Sequence, residues 1–386
     1  METTAASSPH QIVLILDDDT SITEGLAAGL ERRGRTLVTC NDIESGEMAL
    51  DWLKPSLVVS DLRLSGPFGM EGLDFIRFAK RRSPDTRVIV MTGDAPDALQ
   101  LEAAERGAVA FLRKPFELSE LNTFIDLMST TTRAGSEVWP SVIKMPLLDD
   151  MLKSGLLYSV FQPIVNLANG SSIGFEALTR FRSEAPIRHP EVLFRYAEKK
   201  QRVADLEAAC LGQSLRSGAN FARGGSLFIN MHPSMFSTHN LADIVEKAAN
   251  SARVPLDSIV LEITEQGSLE DGLKALEVIA QLRRLGVRFA LDDVGVSYSH
   301  LSVIGKIQPA FVKVSQHFGG GFESDPTKRK IVRNILSLAR DFNASVVIEG
   351  VETWATADAA RALGIEYAQG FYFSPPFEAS AMDQSA

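Results

Sequence analysis

The sequence predicts an α/β protein in two parts, a doubly wound five-stranded parallel sheet followed by a (β/α) barrel. Three observations carry this. Residues 10–128 alternate five short β-type runs with helical patterns, residues 129–146 lose that periodicity, and residues 147–386 repeat β-then-α. At 386 residues, 45% of them hydrophobic and 23% charged, the chain can fill two cores and is too apolar for disorder.

The β runs of the first part are "IVLIL", "TLVTC", "LVVSD", "RVIVMT" and "VAFL". In the helix after the first, Ile22, Leu26 and Leu30 are spaced for one face, and Ser21 with Glu24 forms a capping-box pattern. Ligands of doubly wound sheets meet the carboxyl ends of the strands. Those ends carry Asp17 and Asp18 after the first run, Asp61 at the third, Thr92 at the fourth and Lys114 after the fifth. Three carboxylates on one rim repel and call for a divalent, oxygen-preferring cation such as Mg²⁺. A lysine and a hydroxyl beside them suit an added phosphoryl group. A plainer reading has Asp17–Asp19 only capping the next helix. It leaves Asp61, Thr92 and Lys114 unexplained.

The stretch "STTTRAGSEVWPS", Ser129–Ser141, reads as linker, with a short helix expected after it. The second part opens on an antiparallel pair, "YSVFQPIV" and "SSIGFEALTRF". The runs "LFINM", "IVLEIT", "VRFALDD", "FVKVS", "SVVIEG" and "YAQGF" follow, with helical patterns between them. Barrels of this kind do their chemistry at the C-terminal strand ends. Polar residues inside apolar β runs are costly unless partnered or metal-bound, yet nearly every run holds one. They are Glu176, Asn230, Glu262, the pair Asp292 and Asp293, Lys313, Glu349 and Gln369. Any one alone fits a partnered structural role. Together at one barrel mouth they form a site for two hard cations, Mg²⁺ or Mn²⁺, suited to attack of water on a phosphodiester.

Other chemistries are disfavoured. The six histidines lack zinc-ligand spacing, His232 in "NMHPS" reads as a supporting or surface residue, and no Gly-Lys-Ser/Thr phosphate loop occurs. A net charge of −10 argues against a nucleic-acid coat. Two distant cysteines, Cys40 and Cys210, make a disulfide framework improbable. With no leader pattern and no apolar run near about 20 residues, a cytoplasmic protein without a membrane span is expected.

From Ile12 to about Met128 the sequence closely resembles the receiver domain of bacterial response regulators. The resemblance implies a flavodoxin-like fold in which Asp61 accepts phosphate from a cognate histidine kinase. One Mg²⁺ would be held at Asp17, Asp18 and Asp61, helped by the carbonyl of Arg63. Thr92 and Lys114 would sense the phosphoryl group, and Phe111 takes the aromatic switch position, where Tyr is frequent. The loop "SGPFGMEGL" departs from the family, with Ser65 where Pro is usual and about three extra residues.

The second part resembles the EAL domain, the cyclic di-GMP phosphodiesterases, through "FQPIV", "FEALTRF", "FINMHP", "LEITE", "LDDVGVSYSHL", "FVKV", "VIEGVET" and "AQGFYFSPP". This implies a modified TIM-type (β/α)8 barrel with one antiparallel strand, hydrolysing cyclic di-GMP to linear pGpG. By the resemblance Glu176, Asn230, Glu262 and Asp292 bind the first metal, and Asp292 bridges to a second held by Asp293. Lys313 would position the attacking water or its charge, and Glu349 would be base or metal-shell carboxylate. Glu352 and Gln369 would support that shell, and Glu265 would steady the loop after the Asp pair. Gln162, Leu178 and Arg180, with Gln369, would line the substrate. A homo-oligomer, dimer or higher, is expected.

The loop after the Asp pair departs from the family's Phe-Gly-Thr/Ala-Gly. It reads Val294-Gly295-Val296-Ser297, and Ser315 stands where Asp commonly follows the lysine. A residue in place of a φ > 0 glycine costs about 1 kcal/mol or more. Intact ligands beside an altered loop predict an enzyme of low or conditional activity. Two classes stay open: a kinase-controlled phosphodiesterase, or a degenerate EAL domain that senses cyclic di-GMP or docks a partner without turnover.

Overall fold

A computed structural model describes residues 10–64, 71–93, 97–128, 141–145, 148–153, 155–182, 190–238, 240–264, 272–295 and 307–381. By packing, the chain divides into one unit of Met1–Lys153 with Ser183–Gln201 and another of Ser154–Arg182 with Arg202–Ala386.

The first unit is built on a parallel sheet of order β5-β4-β3-β1-β2-β6. Its strands are β1 (Gln11–Leu16), β2 (Arg35–Cys40), β3 (Leu57–Asp61), β4 (Arg87–Thr92), β5 (Ala110–Arg113) and β6 (Val142–Lys144). The helices are α1 (Thr20–Leu30), α2 (Ile43–Leu53), α3 (Glu71–Arg82), α4 (Asp97–Glu105), α5 (Leu118–Leu127), α6 (Leu148–Lys153) and α7 (Pro190–Lys199). Continuous apolar runs make the middle strands because both faces of such a sheet are covered. Val13 to Leu16 and Leu57 to Val59 are fully buried.

Two expectations need correction. The sheet has six strands, not five: Val142–Lys144, inside the stretch read as linker, pairs in parallel with Leu37–Thr39. Three residues are too few to show a β period, and only Ile143 faces inward. The cap of α1 is Asp19, not Ser21. Its carboxylate accepts from the Ser21 amide at 2.8 Å, so the helix starts earlier, while Glu24 pairs with Lys144 at 2.8 Å.

Helix α7 is held on the N-terminal half of α2 by charge. Lys199 pairs with Glu47, and Lys200 with Asp42 at 3.0 Å and Glu44 at 2.9 Å.

The second unit is the barrel. Its strands are β7 (Leu157–Asn166), β8 (Ser172–Phe181), β9 (Ser226–Asn230), β10 (Ile259–Thr264), β11 (Arg288–Val294), β12 (Phe311–Val314), β13 (Ser345–Ile348) and β14 (Tyr367–Ala368), with β15 (Phe377–Glu378) outside the ring on β7. Strands β8 to β14 run in parallel, and β7 is antiparallel to both β8 and β14, closing the ring as expected. The helices described are α8 (Val203–Gly224), α9 (Leu241–Ala252), α10 (Gly272–Arg284), α11 (Gln316–Gly319), α12 (Pro326–Asp341) and α13 (Trp354–Leu363).

The interior is layered. Phe228, Val260, Ala290, Phe311 and Val347 form one buried apolar cluster with Ile164. Because strand side chains alternate faces, the residue two places on shares the inward face one layer higher. Those residues are Asn230, Glu262, Asp292, Lys313 and Glu349. The apolar layer floors the polar one.

Candidate active site

At the carboxyl rim of the first sheet, candidate ligand oxygens of Asp17, Asp18 and Asp61 lie within 4.8 Å of one another. Lys114 Nζ sits 2.6 Å from Asp17 Oδ2 and 2.7 Å from Asp61 Oδ2. Backbone amides fix both acids: Asp19 donates to Asp17 at 3.0 Å and Arg63 to Asp61 at 3.2 Å. Burial raises the Asp17 pKa despite the lysine. Burial alone would lower Lys114, but its hydrogen bonds to Asp17 and Asp61 outweigh this and raise it. Thr92 ends β4 and its carbonyl accepts from the Lys114 amide at 2.7 Å, tying the two strand ends together. Phe111 lies half-buried on β5. Ser65 is outside the described residues.

In the barrel, the polar layer converges on one ammonium. Lys313 Nζ is 2.8 Å from Glu349 Oε1, 2.9 Å from Glu262 Oε1, 3.1 Å from Glu176 Oε2 and 3.2 Å from Asp292 Oδ1. Asn230 donates to Glu176 Oε1 at 2.9 Å, and Gln369 to Glu176 Oε2 at 2.7 Å and Gln162 Oε1 at 3.0 Å. Gln162 in turn donates to the Ser374 carbonyl at 3.0 Å.

Three buried carboxylates and the half-buried Glu349 against one cation carry excess negative charge in a low dielectric. Protonation absorbs part of it: burial pushes Glu349 up to about 8 and raises Asp292 and, far more, Glu262, which Glu176 also repels. Glu176 is lowered, since the Lys313 charge and the Gln369 and Asn230 hydrogen bonds outweigh its burial. Lys313 itself is held well above the usual range, because the four acids outweigh its burial. Glu262 Oε2 is buried without a hydrogen-bond partner. An all-oxygen donor set, surplus acid and an orphaned carboxylate oxygen fit hard divalent cations.

Strand β11 makes the Asp pair special. Its register with β12 slips between Leu291 and Val294, and Asp293 has φ of 55°, so strict alternation breaks where two carboxylates adjoin. Asp292 is buried and Asp293 half-buried. Gly295 follows at φ of 110°, where a Cβ would also press to 3.0 Å on the Phe318 ring. Val294 is buried against the outer helices. Val296 and Ser297 lie outside the described residues, as does Glu265.

Leu178 and Arg180 share the face of Glu176 along β8, and Arg180 donates to the Thr179 carbonyl at 2.9 Å. Ser315 is buried beside the lysine strand. Glu352 is exposed after Val351, outside the hydrogen-bonded cluster. Sequence reasoning missed Glu207, a buried acid on α8 that accepts from the His232 amide at 2.6 Å. The available signal was an acid on the apolar stripe Leu206, Cys210, Leu211 and Leu215.

A sheet with an acid pocket, followed by a barrel with carboxylates around a lysine, defines a receiver-linked EAL protein. The EAL domain model matches residues 147–376 and the response regulator receiver domain model residues 13–126. The chain belongs to the EAL domain family and carries a receiver domain ahead of it. It is 27% identical over 335 residues to the cyclic di-GMP phosphodiesterase RocR of Pseudomonas aeruginosa, covering 83% of this chain and 84% of that protein. The solved PaMucR phosphodiesterase, in complex with c-di-GMP, is 27% identical with a TM-score of 0.56, covering 61% of this chain and 97% of that one. Klebsiella pneumoniae BlrP1, in a manganese/cy-diGMP complex, is 26% identical with a TM-score of 0.53, covering 59% and 57%.

Proposed function

We propose that this chain hydrolyses cyclic di-GMP to linear pGpG in the barrel, under control of phosphorylation on Asp61 by a histidine kinase. The observation that carries the reading is the convergence of Glu176, Glu262, Asp292 and Glu349 on Lys313 at the C-terminal strand ends. Glu176, Asn230, Glu262 and Asp292 would hold one Mg²⁺ or Mn²⁺, and Asp292 with Asp293 a second. Such cations, when bound, polarise the phosphodiester and favour hydroxide over water.

The residues divide the remaining work. Lys313, kept charged by its neighbours, orients and neutralises and does not serve as base. Glu349, in its ionised form beside Lys313, would take the proton of the attacking water. A water oxygen–phosphorus bond forms, one phosphorus–O3′ bond breaks, and the leaving oxygen gains a proton, giving a 5′-phosphate and a 3′-hydroxyl. Gln162, Leu178, Arg180 and Gln369 line the substrate. In the receiver, Asp61 would take the phosphoryl group, and Lys114 would exchange a carboxylate for a phosphoryl oxygen.

The test is turnover by the purified full chain with Mg²⁺ or Mn²⁺, followed by chromatography of pGpG. Activity that survives excess chelator would refute the two-cation mechanism. Ca²⁺ should inhibit, since its larger and looser coordination misplaces the water.

One observation favours a second reading, a cyclic di-GMP receptor or docking module without turnover. The loop after Asp293 departs from the family at Val294, Val296 and Ser297. Saturable binding of cyclic di-GMP with no pGpG over hours would establish that reading instead.

A further inference from the structure

Glu207 is the one acid on the buried face of α8, surrounded there by Leu206, Cys210, Leu211, Ser214 and Leu215. It is 3% exposed, and among the described residues its carboxyl accepts one hydrogen bond, from the backbone amide of His232. A buried carboxyl with so little compensation is a poor choice for stability alone, because an apolar side chain there would avoid its desolvation. What it touches explains its presence. His232 lies two residues past Asn230, where the chain leaves β9 and enters the short 3-10 helix Pro233–Ser237.

We propose that Glu207 is a positioning residue for Asn230, fixing from the outer helix the segment that presents the Asn230 amide to the barrel's cation. The inference rests on the two-cation reading of the site. The Met231 amide donates to the Glu262 carbonyl at 3.0 Å, which holds the segment from the neighbouring strand. The His232 amide donates to Glu207 at 2.6 Å, which holds it from the helix. Asn230 is thus the end of a strand pinned on both following residues. Its own Nδ2 is committed to Glu176 at 2.9 Å, which leaves Oδ1 as the atom for a hard cation. A shift of the His232 segment moves that oxygen directly. Residues that orient metal ligands in this way are worth about 10–100-fold in metal affinity.

Burial pushes the Glu207 pKa up to about 8, so at neutral pH it accepts the amide as a neutral acid. Glutamine can therefore replace it as acceptor, and leucine keeps the bulk without the acceptor. This separates positioning from mere filling.

The experiment is Mn²⁺ titration of the full chain, followed by the loss of free-ion paramagnetic resonance, with Asp17→Asn throughout to silence the receiver cluster. Glu207→Leu should bind Mn²⁺ about tenfold or more weakly and turn over more slowly, with Glu207→Gln close to the parent in both. Equal Mn²⁺ affinity of Glu207→Leu and parent overturns the inference, and leaves the two-cation reading standing. A parent barrel that takes up no Mn²⁺ overturns that reading and this inference with it. Should Glu207→Leu not fold, hydrogen exchange in the parent decides. Coupling is reciprocal, so Mg²⁺ must slow exchange of the His232 amide, and an unchanged rate overturns the proposal.

Discussion

Gln369 donates to Glu176 at 2.7 Å across the closure of the barrel, although the two residues are 193 apart in sequence. The amide thus reports ring closure at the acid site, for Gln369 follows β14 and Glu176 lies on β8. Gln369→Ala should leave Glu176 with one fewer donor on a buried charge. We expect turnover to fall about tenfold or more, with a lowered Tm. Unchanged kcat and KM would show that Asn230 and Lys313 suffice to hold Glu176.

Lys313→Met leaves three buried carboxylates and the half-buried Glu349 without their cation. Removing one partner of a buried ionic cluster costs about 3–5 kcal/mol. The variant should lose measurable turnover, and its Tm should rise more on adding Mn²⁺ than the parent's does. An equal Mn²⁺ shift, measured by scanning calorimetry, would show that the lysine and the cations do not answer the same charge.

Asp61→Asn should abolish labelling of the receiver by a small phosphodonor in Mg²⁺. Lys114→Ala should retain labelling while losing the effect of phosphodonor on turnover. Acid-labile phosphate still taken up by Asp61→Asn would place the acceptor elsewhere.

The pH dependence of stability carries a sign. Burial raises Glu207 from 4.5 to about 8 in the folded chain. Its favourable contribution is complete below about pH 4.5, declines as the unfolded acid ionises, and is gone once pH passes the folded value near 8. Relative to Glu207→Gln, the parent should lose about 5 kcal/mol across that window. Denaturant midpoints of both proteins from pH 4 to 9 measure it, and parallel curves would contradict it.

Val296→Thr with Ser297→Gly should raise kcat more than it changes substrate affinity. Gly295 follows the Asp pair within two residues, so a change just beyond it is expected to shift those carboxylates, and a misplacement near 1 Å costs about 100-fold. Steady-state kinetics of both proteins decide. A parent already as fast as ordinary EAL enzymes, and no faster once altered, would make the departure neutral.

Much of this architecture was legible in the sequence because strand ends carry polar residues that apolar runs expose. The residues at Asp17, Asp61, Glu176, Glu262 and Lys313 stand out against Val, Ile and Leu neighbours, and the structure brings them into two clusters. What period could not reveal was short or masked by context. Strand β6 is three residues long, below any repeat. Asp19 outcompetes Ser21 as cap because a carboxylate takes both the amide and the hydroxyl of Ser21. The left-handed Asp293 is set by the slip between β11 and β12, a tertiary fact. Glu207 lies on the apolar stripe of its helix, but its partner, the His232 amide, is a tertiary contact that no helical pattern shows.

Helix α7 has a consequence for anyone who would cut this chain in two. It follows β8 and precedes α8, both barrel elements, yet it packs with the receiver through Lys199 and Lys200. The covalent order therefore visits the first body, the second, the first again and the second again. A protease nick between residues 129 and 140 would leave the first body's helix attached to the C-terminal fragment. The two fragments should co-elute from a sizing column without any covalent link. An expression clone begun at residue 147 would likewise carry α7 stripped of its acidic partners, and would compare poorly with the intact chain in solubility and in heat tolerance.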